Sequence, residues 1–414
     1  MDRNKLIIFL LFLTIVIDIM GVGIIIPLMP DLFFCNKLIF QFDNNLQFLA
    51  YGLAMAIWPL GLVLGAPIIG ELSDKFGRKK LIILSLVFTA ISYLIIALSI
   101  ATKNFYLFIF ARLLGGIFAG SFEVAQAYAV DISSSNERAK NMGYIIIAAN
   151  LGTIIGPILS GIINDPMYNL PIYTVIILAG LLSIINACLV KLFLSVEQPK
   201  FPSLKISILH CLKTIFFLFS DKRVNTLGLV FILMQLGYGL FYLGIPVFLQ
   251  MKFDYSVQFI SFYFALMGIA VVLFAFFQDY LFKALSEIKL YIISSIICAI
   301  SFIIITQVTS INVYLIWILG ALSSVSQLIA YTSSITLLSK KVSEKEQGKL
   351  MGGAGSGSGF GLAWFISSLM IGKISEVSIK LPLYYGSIFL ILSILFLCLF
   401  RYFIKFNNFG TFKK

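Results

Sequence analysis

Three ionisable residues sit where an apolar chain has little reason to keep them: Asp18 in Ile17-Asp18-Ile19, Arg112 and Glu123, each inside a long hydrophobic run. A charge at the centre of a membrane span costs roughly 2.5–3.5 kcal/mol on insertion scales. Such residues therefore face a cavity, pair with each other, or mark an ion path. Asp18 and Glu123 have the chemistry of exchangeable proton carriers. Arg112 keeps its proton and can serve as counter-ion to a carboxylate until a competing cation or proton arrives. On one continuous helix, Arg112 and Glu123 lie about 16 Å apart along a single face, with Gln126 one turn further on. That stripe is expected to face a central cavity. The competing readings are a fixed structural ion for Asp18 and a static interhelical pair for Arg112 and Glu123.

Other side chains have the chemistry to hold a solute. Gln235, Tyr238 and Tyr242 recur at helical spacing and share a face. Tyr263 lies in the next apolar run, and Ser323, Gln327 and Tyr331 in a later one. Aromatic rings with a few polar groups suit an amphiphilic organic molecule. Hydrogen bonding between helices explains each tyrosine taken singly just as well.

A third chemistry, ion pairing at a water boundary, belongs to the dense loop Gly70-Glu71-Leu72-Ser73-Asp74-Lys75-Phe76-Gly77-Arg78-Lys79-Lys80. Its cations help to set topology, but topology requires neither Asp74 nor Gly77. The loop is expected to be a conformational latch. Arg78 and nearby cations would reach carboxylates and helix C-termini on neighbouring spans, Asp131 among them, and would close in the outward-facing state.

Long helices are needed to position these groups. The 414 residues are 60% hydrophobic and 12% charged, against roughly 25% charged in a soluble domain, so the chain crosses a membrane repeatedly. A spanning helix takes about 20 apolar residues. Twelve such runs are found, at 6–30, 46–69, 81–100, 105–131, 142–163, 171–195, 224–250, 257–281, 289–308, 311–338, 348–372 and 381–404. Lys and Arg gather in alternate loops, whereas the opposite side holds only Lys37, Lys103, Lys252, Lys373 and Lys380. This asymmetry places both termini in the cytoplasm. It also explains the net charge of +12 without nucleic acid.

The N-terminal run reaches Pro30, contains Asp18 and lacks a small-residue cleavage site, so it reads as a retained span rather than a signal peptide. The five cysteines show no paired spacing, and the single histidine, His210, falls in a linker. No metal or other cofactor is expected. No G-x4-G-K-[ST] nucleotide loop occurs, so energy must come from an ion gradient or from the cargo's own gradient.

The linker, about 196–223, divides the chain into bundles at 1–195 and 224–414. Its stretch Leu204 to Phe219 mixes Lys205 and Lys213 with apolar residues, as an amphipathic surface helix or a merely greasy tether would. The two bundles repeat. Glu137-x-x-Lys140-x-Met142-Gly143 before the fifth run parallels Glu346-x-x-Lys349-x-Met351-Gly352 before the eleventh, and Gly21-x-Gly23 with Pro30 parallels Gly237-x-Gly239 with Pro246. Parallel six-span repeats build transporters with a midplane site.

At this point the chain resembles the major facilitator superfamily, and within it the twelve-span drug/proton antiporters, with bacterial tetracycline-efflux proteins among the relatives. Gly70–Lys80 matches the family's loop between spans two and three. Gly143, Gly152, Gly156-Pro157 and Gly161 match the antiporter motif of span five, with Ser160 replacing one glycine. Arg112 with Gly116 matches the span-four motif, although Gly115 stands where glutamine is usual. Ala127-Tyr128 through Asp131, with Glu137-Arg138-Ala139, resembles the tetracycline-pump end of span four. The resemblance implies a proton-coupling role at Arg112. The span-five glycines allow close helix contact and Pro157 a kink, read either as a tight contact with the other half that blocks leak or as generic small-residue packing. Where tetracycline pumps carry a carboxylate, a histidine and a second carboxylate in spans three, eight and nine, this chain has Ser92, Val271 and Cys298, so neither that cargo nor that proton route transfers.

The expectation is an all-α membrane protein of twelve transmembrane helices in two pseudo-symmetric six-helix bundles, acting as a monomer in the bacterial inner membrane, among lipid. It would not be an enzyme. It would exchange protons for a small amphiphilic molecule that it exports. The alternatives are a proton-coupled importer of a nutrient or siderophore, and a non-transporting receptor or assembly factor on the same scaffold.

Overall fold

The structure, a computed structural model, describes residues 3–34, 39–134, 137–194, 217–221, 223–343, 350 and 354–410. Among these residues every regular element is a helix and there is no strand. The linker stretch up to residue 216 lies outside the described residues, as does most of the second E-x-x-K-x-M-G copy, so neither expectation is met or contradicted.

Among the described residues, twelve helices are long and apolar enough to cross a membrane. In the first half these are α1 (Arg3–Phe34), α2 (Asn44–Phe76), α3 (Arg78–Ala101), a span in two pieces α4 (Phe105–Phe118) and α5 (Ser121–Ile132), α6 (Arg138–Ile163) and α7 (Thr174–Phe193). In the second they are α8 (Asn225–Phe253), α9 (Val257–Ala275) with a short α10 (Gln278–Ala284) behind it, α11 (Glu287–Gln307), α12 (Tyr314–Ser339), α13 (Gly361–Val377) and α14 (Leu381–Gly410). Two expected boundaries shift. The eighth span ends at Ala275 rather than 281, and a turn of π-helix, Ser356–Phe360, precedes α13 where the eleventh was expected to start at 348.

Contacts divide the chain into two compact units, Met1–Leu212 with Pro246–Ile269 and Lys213–Ile245 with Ala270–Lys414. The division expected from the linker, 1–195 and 224–414, differs over 246–269. The reason is local. Gly161 on α6 leaves room for Ser261 (3.0 Å to its Cβ) and Gln258, Gly268 on α9 meets Ile154, and Gln258 donates to Asp165 at 2.7 Å. The start of α9 is therefore stitched to α6. Helix α8 stays unbroken through Pro246, the residue at which it passes from one unit to the other.

Within the first unit α3 packs between α4 and α7, and within the second α11 packs between α12 and α14. The glycine repeat lies on equivalent contacts. A Cβ on Gly23 would meet Pro157 of α6 at 2.9 Å, and one on Gly239 would meet Ser367 Oγ of α13 at 2.8 Å. In each unit, the first span's second glycine lets the fifth span come close. One further glycine is required by conformation. Gly77, between α2 and α3, has φ 98° and ψ 141°, a region that is essentially glycine-only.

Candidate functional site

The first unit holds the ionisable cluster. Span four is not the continuous helix that the stripe of Arg112, Glu123 and Gln126 requires. It breaks at Ala119-Gly120, where the Ala119 N–H turns back to the Gly116 carbonyl at 3.2 Å. The glycine-rich run Gly115, Gly116 and Gly120 weakens the helix there and admits close neighbours: a Cβ on Gly116 would collide with the Trp58 carbonyl, and one on Gly120 would meet Ile69 at 3.1 Å. Arg112 thus lies on α4 and Glu123 in the first turn of α5, and spacing across the break does not put them on one face.

Around the start of α5 two carboxyl groups gather. Ser121 donates its hydroxyl hydrogen to Asp18 Oδ2. The other Asp18 oxygen is buried without a hydrogen-bond partner, and Asp18 forms no ion pair among the described residues. Glu123 lies close enough to Asp18 for their charges to interact. Gln126, on the next turn, is half-buried.

Arg112 is 5% exposed. Its Nε donates to the Ala54 carbonyl at 3.4 Å, and its charge reaches Tyr93 and Tyr51. Tyr93 is the side chain that links both groups, within electrostatic reach of Asp18 and of Arg112. Its hydroxyl rests against α1 where Gly21 lacks a Cβ. Ser92, at the position of the family carboxylate, donates to the Ala111 carbonyl at 2.8 Å and fills the space above Gly115.

The second unit gathers most of the expected solute contacts. Gln327 Nε2 donates to Gln235 Oε1 at 2.8 Å, joining α12 to α8. Tyr238 and Tyr242 lie 5.8 Å apart, ring centroid to centroid, and Trp364 of α13 is 5.2 Å from Tyr242 and stacks on Phe360 at 4.8 Å. Ser323 is fully buried and bonds back to the Leu319 carbonyl of its own helix, while Tyr331 is exposed beside Phe231. Tyr263 is not part of this group. It is buried in the first unit, in the portion of α9 packed on α6. Sequence reasoning missed Ser121, Tyr93, Phe360 and Trp364. The only signal for the last was a tryptophan, one of three in the chain, in a glycine- and serine-rich span.

The span-five glycines make close local contacts. Gly152 and Gly156 face α1 in their own unit: a Cβ on Gly152 would meet Ile19 at 2.8 Å, and one on Gly156 would collide with the Met20 carbonyl. Pro157 packs over Gly23, and α6 runs unbroken through it. Only Gly161 meets residues of span eight, and nothing lies within 4 Å of a Cβ built on Gly143. Gly152, Gly156 and Pro157 thus pack closely on α1, where Gly23 matches them.

At the α2–α3 turn, Arg78 forks between Asp74 (2.5 Å) on α2 and Asp131 (3.3 Å) on α5, with Ser73 as a further acceptor. Lys79 donates to the carbonyls of Lys191 (2.7 Å) and Leu194 (2.5 Å) at the end of α7, satisfying groups that a helix C-terminus leaves open. Gly70 has open space around it.

Comparison with known proteins agrees with this architecture. Residues 11–364 match the sequence profile of the Major Facilitator Superfamily. The chain is 32% identical over 198 residues to Multidrug resistance protein 2 of Bacillus subtilis, covering 48% of this chain and 47% of that one. It is 34% identical over 168 residues to the class H tetracycline resistance protein of Pasteurella multocida, covering 41% and 40%. These relatives are thus matched over less than half of their length. The crystal structure of the nucleoside transporter NupG shares the fold at 14% identity, with a TM-score of 0.76 over 97% of this chain and all (100%) of that one. A twelve-span helical chain with this loop, this span-five glycine set and this profile match belongs to the Major Facilitator Superfamily, a family of membrane transporters and not of enzymes.

Proposed function

We propose that the protein is a secondary transporter of the bacterial inner membrane, with both termini cytoplasmic, working as a monomer. It exports a small amphiphilic compound in exchange for external protons by alternating access. The observation that carries this reading is Asp18, which accepts one hydroxyl hydrogen bond, has a second oxygen buried without a partner and forms no ion pair. Such a carboxyl can take up or release a proton without first breaking a salt bridge. Glu123, close by, is the second proton carrier, and Arg112 acts through Tyr93 rather than by direct pairing. Export is favoured over import because relatives that this chain matches are named for multidrug and tetracycline resistance.

In this reading the Asp74–Arg78–Asp131 fork holds the cytoplasmic ends of α2, α3 and α5 in register during the cycle. The test is the purified full chain in liposomes with an imposed pH gradient. Asp18→Asn should lower gradient-driven transport at least ~10-fold, and Glu123→Gln should impair it as well, while both proteins insert and elute normally. Full activity in both variants removes the proton assignment.

A further inference from the structure

Four buried polar atoms in the second unit have no hydrogen-bond partner among the described residues: two serine hydroxyls, Ser295 and Ser333, and two groups that cannot turn to switch between donor and acceptor, Gln327 Oε1 and Trp364 Nε1. Gln327 is 8% exposed, and its amide nitrogen is already committed to Gln235. Buried polar groups are nearly always satisfied, so an orphan needs an explanation. Here the two orphans have opposite requirements. An indole N–H only donates, and the amide oxygen only accepts.

They belong to one stripe. Gln235, Tyr238 and Tyr242 follow one face of α8. Gln327 bonds to the first of these, and Trp364 lies against the last. Trp364 also comes within 3.8 Å of a Cβ built on Gly239, one residue beyond Tyr238. The rings of Tyr238, Tyr242, Trp364 and Phe360 form a chain of contacts at 5.8, 5.2 and 4.8 Å. No charged residue occurs in α8 before Lys252, anywhere in α12, or in α13 before Lys373. Beside its two tyrosine hydroxyls, the stripe thus offers flat π-faces, one unpartnered donor, one unpartnered acceptor and no charge.

We infer that this stripe is a subsite for a planar aromatic compound carrying an amine or hydroxyl donor, held by Gln327 Oε1, and a carbonyl-type acceptor, held by Trp364 Nε1. Ring stacking supplies sequence-independent affinity, and the two polar contacts supply selection. The inference names the cargo chemistry of the transporter proposed above and rests on that reading.

Two fluorescent probes separate its parts. 2-Aminoacridone is planar, with a carbonyl acceptor and N–H donors; 10-methylacridone keeps the rings and the carbonyl but has no N–H. Binding is measured by fluorescence anisotropy on the full chain in lipid nanodiscs. Wild type should bind 2-aminoacridone ~3–10-fold more tightly, the span of one net hydrogen bond. Gln327→Met should abolish that preference by weakening the amine alone. Trp364→Phe, which keeps a ring and removes the N–H, should weaken both probes by a similar factor. Equal binding of the probes by wild type, a Gln327→Met loss shared by both, no effect of Trp364→Phe, or no binding at all would each overturn the subsite. The wild-type comparison holds even where a variant fails to fold. Asp18→Asn should bind both probes normally. Loss of pH-driven transport with selective binding intact therefore supports the subsite, and the converse removes it while leaving proton coupling in place.

Discussion

At the scale of single residues, the most informative positions are those whose neighbours restrict them most. Gly77 adopts a backbone region closed to side chains. Gly77→Ala should cost about 1–3 kcal/mol, read as a lower Tm of the detergent-purified protein. Gly70, seven residues earlier, has nothing near it, so Gly70→Ala should change Tm by little, within about 0.5 kcal/mol. Both glycines carry the same family signature, and the structure predicts opposite sensitivities. Ser121→Ala removes the one hydrogen bond to Asp18 and should shift the pH profile of transport while leaving total stability almost unchanged. Asp18 was legible in the sequence because a lone carboxylate in an apolar run is costly whatever surrounds it. Ser121 and Tyr93 were not legible, because a serine or tyrosine in a span is ordinary, and what distinguishes these two is contact with α1 from distant parts of the chain.

Elements carry a different kind of information. The spans were legible because length and hydropathy alone fix them. The break in span four was not, because Gly115, Gly116 and Gly120 permit a break without requiring one. The stripe argument failed at that point. Equally, the glycines of α6 announced a close contact but not its partner; only matching small residues on α1 decide that. Gly65 of α2 lies over the Ile117 backbone, so Gly65→Val should force α2 from α4 and cost about 1–3 kcal/mol or more in thermal unfolding. The Arg78 fork is testable as a pair. Both partners are largely buried, at 13% and 12% side-chain exposure. A double-mutant cycle of Arg78→Gln with Asp131→Asn should give coupling of about 1–3 kcal/mol, and additive losses would reduce the fork to topology alone.

For the whole molecule, charge asymmetry and the displaced repeats indicated twelve spans in two related halves. The pairing of α3 with α4 and α7, repeated by α11 with α12 and α14, agrees with that duplication. The exchange of 246–269 into the first unit was invisible to a sequence that marks its halves only by a polar linker. Transport direction belongs at this scale. Deleting the gene should raise the cellular level of an exported aromatic compound; a fall would favour import instead.

The broken span has one more consequence. An interrupted helix exposes a fresh set of backbone amide donors at its new beginning, equivalent to about half an elementary positive charge. The opening turn of α5 is where Ser121 and Glu123 sit and where Asp18 docks. The amide donors at the start of α5 are thus an electropositive feature beside both acids. In the proposed exchange, a helix end would stay in place through every turnover, as a mobile side chain would not.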